Sequence, residues 1–547
     1  MKRIICVFLA LVFTAACASG CSGETQPVQT SEKTTGAAQT VTDEPTAEVT
    51  TETETETETE TETETEAETF GEFIVEPDET AELSVPRVYA DHMVLQRDAE
   101  ISVKGTSNKD GAQIRGTFMD EAARAKVVDG KWELIFSAKP ATAEPQTMLI
   151  EDSCGNTVTF EDVLVGDVWV MGGQSNNEIT LNVFPSIYGK MQFDENRPIR
   201  LLMQSARYVI DHQKEIKTAQ EDIVNPAWKW ARATRSEAYN FSALGYLLAD
   251  TLNAETGVPV GVICVAAAGA LLTELMPKKL TKEFNYRTGG LVGINRHYNA
   301  LTAPFHKIKI KGYVFFQGEA EAGGLPATAY NYGRDINALF TELRYKWGFD
   351  FPIYNIQLCD YSEKSVKSGQ CAQADIIRAQ QFEAYKKLDG VRLIPSYDLG
   401  PGESYSDYMH SPRKKELADR LAKLVLADVY GKGDAEQALA PEPVEITLSE
   451  DETYYTVKFA NTGDGLVSKG EENRPVGFGV GSDLKKLTPA SAEIISKDTV
   501  KVYVPAETGP SGLGYACKSH LTADDAQLYN SNDLPVPAFF IPADTAE

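Results

Sequence analysis

The chain has 547 residues, 42% of them hydrophobic, which is enough apolar material for two or three packed domains. Its formal charge of −28 is concentrated at the start: residues 1–79 carry 18 acidic and 3 basic side chains, a net −15 that leaves −13 for the rest. No basic stripe offsets this acidity, which argues against nucleic acid or an anionic membrane surface as a partner.

Lys2 and Arg3 precede an apolar run over 4–16, the pattern of an export signal and too short to span a bilayer. Ala18-Ser19-Gly20-Cys21-Ser22-Gly23 resembles a bacterial lipoprotein box, with Cys21 as the lipidated terminus, Cys17 as its rival and an ordinary cleaved signal as the plainer reading. The expectation is a signal over 1–23 and a lipid-anchored protein at the extracellular face of a bacterial cell, with secretion as the alternative. Residues 24–80 follow, rich in Thr and Glu, with unbroken Thr-Glu alternation over 51–66. Like charges on every second residue repel and neither face is apolar, so this segment reads as a solvated tether.

Residues 81–163 carry short alternating runs broken by Gly, Asn and Asp, among them 100–105 and 131–136, which predict a small β-sandwich. Over 164–435 apolar strands alternate with helical stretches. Strands are expected at 258–267, 311–316, 351–358 and 391–399, and helices at 242–255, 327–347, 376–387 and 412–429. Such alternation predicts an α/β domain with a parallel sheet covered on both faces and a ligand site at the carboxyl ends of its strands. Over 436–547 β patterning returns at 444–448, 454–459 and 499–504, a second β domain. Outside the leader the cysteines are Cys154, Cys264, Cys359, Cys371 and Cys517, a scattered odd set that argues against both a disulfide framework and a zinc site; at most Cys359 pairs with Cys371.

Gly173-Gln174-Ser175-Asn176 directly follows the apolar run 168–171, which puts a hydroxyl where a strand gives way to a helix start. There a serine's own N–H faces a developing oxyanion while its Oγ stays open to a base. Asp407-Tyr408-Met409-His410 supplies the rest, a carboxylate within one turn of an imidazole. Asp398, in an Asp-Leu-Gly strand end, competes with Asp407 as the orienting acid. Gly269, past the strand at 258–267, lets a main-chain N–H approach an oxyanion, and Gln317-Gly318-Glu319 brings an amide and a carboxylate to the same rim. Each has a plainer reading: Ser175 as a helix cap, Gly269 as a turn glycine, Glu319 as an ion-pair partner of Arg378, and Trp169 and Phe316 as core residues rather than sugar platforms.

Through these motifs the chain resembles the sialate O-acetylesterase family of SGNH hydrolases. The resemblance spans 86–541 and rests on Met93-Val94-Leu95-Gln96-Arg97, on 163–169 leading into Gly-Gln-Ser-Asn, on Tyr298-Asn299-Ala300 with Ala303-Pro304, on Gln317-Gly318-Glu319 and on Asp398-Leu399-Gly400. It implies a flavodoxin-like three-layer α/β/α SGNH domain flanked by an N-terminal β-sandwich and a C-terminal β domain. It also implies Ser175 as nucleophile, His410 as base, Asp407 as orienting acid, and oxyanion donors from Ser175 and Gly269 with help from Gln317. Gln174, Asn176, Glu319 and Arg378 fall in segments that shape the pocket of the family. The chain departs from the pattern at Asn177, Ala270 and Ala320-Glu321, the last placing an added carboxylate that would repel an anionic sugar if it faced the site.

The expected activity is removal of O-acetyl groups from a sugar, a sialate first and acetylated xylan or another neutral glycan second, with no metal or cofactor. Arg378 and Arg296 are the candidate carboxylate binders for a sialate. A surface glycan-binding lipoprotein with an unused triad is the alternative of another class.

Overall fold

The computed structural model describes residues 70–400, 409–522 and 524–543. The lipid-anchor candidate Cys21, Asp407 and residues 24–69 of the tether expected over 24–80 lie outside the described residues; residues 76–78 are not a free tether, since the Glu76 and Asp78 N–H groups donate to the carbonyls of Ser153 and Cys154 at 2.9 Å.

Two packed layers form the first β region. A three-stranded sheet of Leu83–Ser84, Ile101–Ser107 and Lys131–Phe136 faces a second sheet built on Gln113–Phe118, Glu121–Lys126 and Thr142–Asp152. Alternate burial along Ile101–Ser107 and Lys131–Phe136 turns Val103, Leu134 and Phe136 inward. The second sheet continues without a break into β1 (Thr157–Gly173), whose first half pairs with Thr142–Asp152. The boundary expected at 163/164 therefore falls inside a single 17-residue strand.

The second half of β1 is the centre of a parallel sheet with β2 (Ile199–Met203), β3 (Val260–Cys264), β4 (Gly312–Phe316), β5 (Ile353–Ile356) and β6 (Val391–Ile394), in the order β2-β3-β1-β4-β5-β6. Only the short strand Ala231–Arg232, on the edge beside β2, runs antiparallel in it. The apolar runs of β3, β4 and β5 are buried along their whole length, the signature of strands covered on both faces. The long helices are α2 (Ala243–Thr256), α3 (Tyr332–Trp347), α4 (Ala374–Tyr385) and α5 (Lys414–Tyr430), so the domain is the expected α/β layered fold. Strand β2 has no counterpart among the expected strands. The chain leaves β1 toward β2 and β3 on one side and reaches β4 on the other, so the order reverses at β1, where a doubly wound sheet places its ligand crevice.

Buried Asp167 in β1 joins these parts. It accepts from Gln96 Nε2 at 3.0 Å, Arg97 Nε at 3.0 Å and the Tyr430 hydroxyl at 2.9 Å, linking the N-terminal region, the central strand and α5. Beyond α5, antiparallel sheets built around Glu442–Leu448, Tyr454–Ala460 and Thr499–Tyr503, and around Phe478–Val480, Leu513–Tyr515 and Phe539–Ile541, form the C-terminal β region. All five described cysteines are free thiols, so Cys359 and Cys371 are not joined.

Candidate active site

Strand β1 ends on Gly172-Gly173, and Gly173 has φ +109° with so little room that a Cβ would lie 2.1 Å from the carbonyl oxygen of Phe316 in β4. Only glycine fits there, and the tight turn opens a short helix, α1 (Ser175–Glu178), with Ser175 at its first position and part exposed. One main-chain contact joins the two loops: the Ala267 N–H donates to the Gly173 carbonyl at 2.9 Å. Two residues further along each chain stand Ser175 and the exposed Gly269, whose φ of +71° again suits glycine. Neither the Ser175 N–H nor the Gly269 N–H has an acceptor among the described residues, so both donors are open at the mouth of the sheet.

Asn176 ties the serine turn to the imidazole. Its Nδ2 donates to Glu319 Oε1 at 2.6 Å and to the Met409 carbonyl at 3.2 Å, while its Oδ1 and main-chain carbonyl accept from Lys414 Nζ at 2.8 and 2.9 Å. His410, next after Met409, is half-buried and acts electrostatically on both Glu178 and Glu319. Glu319 is buried, with Oε2 lacking a hydrogen-bond partner among the described residues; burial raises its pKa, opposed by the Asn176 hydrogen bond and by the charges of His410 and Lys414.

Several expected pocket residues point inward instead. Gln174 is buried, its Oε1 accepting from Gln317 Nε2 at 3.2 Å and from the Gly318 and Ala320 N–H groups at 3.4 and 3.2 Å, which pins the loop after β4 to the serine turn. Gln317 is not an open oxyanion donor: its amide nitrogen faces Gln174 Oε1, the Ala270 carbonyl and Glu321 Oε2, and its oxygen accepts from the Tyr332 hydroxyl. Arg378 shapes no pocket either. Fully buried in α4, it donates to the carbonyls of Leu358, Cys359 and Lys518 at 2.9, 2.7 and 2.8 Å, which staples α4 and the end of β5 to the C-terminal β region. It forms no ion pair with Glu319 among the described residues. Arg296 is similarly engaged with the Ile216 carbonyl. Asp398 chelates Arg420 through both oxygens, at 2.9 and 2.7 Å. Trp169 and Phe316 are buried core.

Three carboxylates accept main-chain N–H groups around Gly269, and two of them, Glu178 and Glu274, escaped the sequence reading. Glu178 Oε2 accepts from Ala268 at 2.5 Å, Glu274 from Leu271 at 2.9 Å and Val292 at 2.8 Å, and Glu321 Oε1 from Leu272 at 2.5 Å. Glu321 is thus turned into the protein, not toward a sugar. Burial pushes Glu178 and Glu321 up to about 7 and raises Glu274 as well. Lys414 was missed too, since nothing in its helix pattern sets it apart from the lysine beside it.

With this fold and site in place, residues 165–427 match the family model described as "Carbohydrate esterase, sialic acid-specific acetylesterase". The structure of a carbohydrate acetylesterase from Xanthomonas citri superposes with a TM-score of 0.69 at 25% identity, covering 84% of this chain and 99% of that one. The chain is an esterase of the carbohydrate-esterase class. It is also similar to the sialate O-acetylesterases of Homo sapiens and Pongo abelii, each 23% identical over 498 residues, with 82% of this chain and 90% of the relative covered. Through the matched segment it resembles the sialate O-acetylesterase family.

Proposed function

We propose that the protein removes O-acetyl groups from a sugar through an acetyl-serine intermediate on Ser175. The observation that carries this reading is the contact of Asn176 with Met409, which draws the segment bearing Ser175 onto the segment bearing His410. In the proposed mechanism His410 takes the Ser175 proton as Oγ attacks the acetyl carbonyl, and the oxyanion accepts from the N–H groups of Ser175 and Gly269. His410 then protonates the departing sugar hydroxyl and later activates the water that releases acetate. Asp407 orients the imidazole, a role favoured over Asp398 because Arg420 occupies the latter.

The family match favours a sialate as the sugar. The engagement of Arg378 and Arg296 with main-chain carbonyls favours the second reading, a neutral acetylated glycan such as xylan, which needs no carboxylate-binding arginine. We propose that the enzyme sits at the outer face of a bacterial cell, held through a lipid on Cys21 and spaced by the Thr- and Glu-rich segment that begins at residue 24; radiolabelled palmitate incorporated into wild type but not Cys21→Ala tests this. The activity is tested by acetate release from O-acetyl sialates and acetylated xylo-oligosaccharides with wild type and Ser175→Ala. Ser175→Ala is expected to release none while keeping its fold, and retained release removes the nucleophile.

A further inference from the structure

The loop after β3 presents five consecutive main-chain N–H groups, from Ala268 to Leu272, and four of them are already spent. Ala268 donates to Glu178, Ala270 to the Ala267 carbonyl at 3.2 Å, Leu271 to Glu274 and Leu272 to Glu321. The Gly269 N–H alone has no acceptor among the described residues. The two outer carboxylates come from different neighbours in the sheet: Glu178 lies three residues beyond Ser175, past the end of β1, and Glu321 lies past the end of β4, where its other oxygen accepts from Gln317. A loop that donates to buried carboxyl groups on both sides cannot rotate its peptide planes without breaking those hydrogen bonds.

We propose that Glu178 and Glu321 are positioning residues that clamp this loop from either side and so aim the Gly269 N–H at the oxyanion. The proposal rests on the reading of Gly269 as an oxyanion donor. It also gives a role to Glu321, where the chain departs from the family's pattern: the carboxylate contacts the loop rather than the sugar. The ionisable groups facing Glu178 are His410 and Cys264, and those facing Glu321 are Glu319 and Tyr332. A donor held before the reaction begins costs no reorganisation when charge develops, which is why a small tilt lowers turnover without weakening ground-state binding.

The test begins with p-nitrophenyl acetate hydrolysis by wild type and Ser175→Ala. If Ser175→Ala keeps the rate, the esterase reading fails and the clamp fails with it. Given Ser175 dependence, Glu178→Gln and Glu321→Gln are each expected to lower kcat about 10-fold, and the corresponding alanine variants about 100-fold, with KM within about twofold of wild type. Hydrogen–deuterium exchange of the peptide covering 268–272 is expected to quicken in the same order, while exchange in β5 and β6 stays unchanged. The glutamine variants preserve side-chain shape and serve if the alanine variants do not fold. Wild-type kcat in both glutamine variants, or faster loop exchange with no loss of kcat, overturns the clamp.

Discussion

The side-chain amide of Asn176 lies 3.2 Å from the carbonyl of Met409, so the residue after Ser175 hydrogen-bonds the residue before His410 across 233 positions of sequence. The same amide group holds Glu319 through Nδ2 and Lys414 through Oδ1, all in the interior. An amide is suited to this place because it donates to a carboxylate and accepts from an ammonium at once.

Replacing Asn176 by alanine leaves Lys414 with one acceptor fewer and Glu319 without its donor. Unpaired buried polar groups cost about 1–3 kcal/mol each, so Asn176→Ala is expected to lower stability by about that amount in urea denaturation. Esterase turnover is expected to fall at least about 10-fold in the fraction that remains folded, because the serine turn and the His410 segment lose their shared anchor.

Asp167 is the charged centre on which three parts of the chain meet. Removing its carboxylate leaves Arg97 with Asp98 as its remaining carboxylate partner and unties α5 from β1, so Asp167→Ala is expected to cost about 1–3 kcal/mol. The urea midpoint measures the loss, and a midpoint equal to wild type contradicts the assignment.

Asp162 predicts a pH-dependent contribution where the β-sandwich meets β2. Burial raises its carboxyl, but hydrogen bonds from His92 and Arg232 and the charges of Arg200 and Arg232 outweigh burial and hold it below the usual range. A depressed carboxyl stabilises the fold above its unfolded pKa and loses that stability as pH falls through the folded value. Asp162→Asn is therefore expected to melt below wild type at pH 7, and the gap is expected to close as pH falls below about 4.

Glu321 predicts the opposite slope. Burial pushes it up to about 7, so the folded chain keeps a proton that the unfolded chain has released. Stability from this group is present below the unfolded pKa and declines as pH rises from about 4.5 to about 7, then levels off. Glu321→Gln cannot ionise, so its melting temperature is expected to change less than that of wild type between pH 5 and pH 8.

Much of this organisation is legible from period and punctuation. The apolar runs that end at Gly173, near Gly269 and at Gln317 predict strand ends, and the order of the parallel sheet brings those ends side by side. Strand β2 was not legible, because Ile199–Met203 is a short run with an arginine in it, and that arginine is buried only through its pairing with distant Asp162. Nor does any spacing reveal that Gln174, Gln317 and Arg378 turn inward. Their partners are main-chain carbonyls, amides and N–H groups of remote segments, which leave no mark in side-chain pattern. Glu178 and Glu274 were hidden for the same reason, and Glu321 drew notice only as a carboxylate that would matter if it faced the sugar, which it does not.

The most direct measurement is peptide mass spectrometry of the enzyme quenched during turnover of an O-acetylated sugar. One acetyl group on the peptide containing Ser175, present in wild type and absent in Ser175→Ala, is the predicted result. Steady acetate release with Ser175 unmodified at every quench time, and undiminished in Ser175→Ala, would contradict the account.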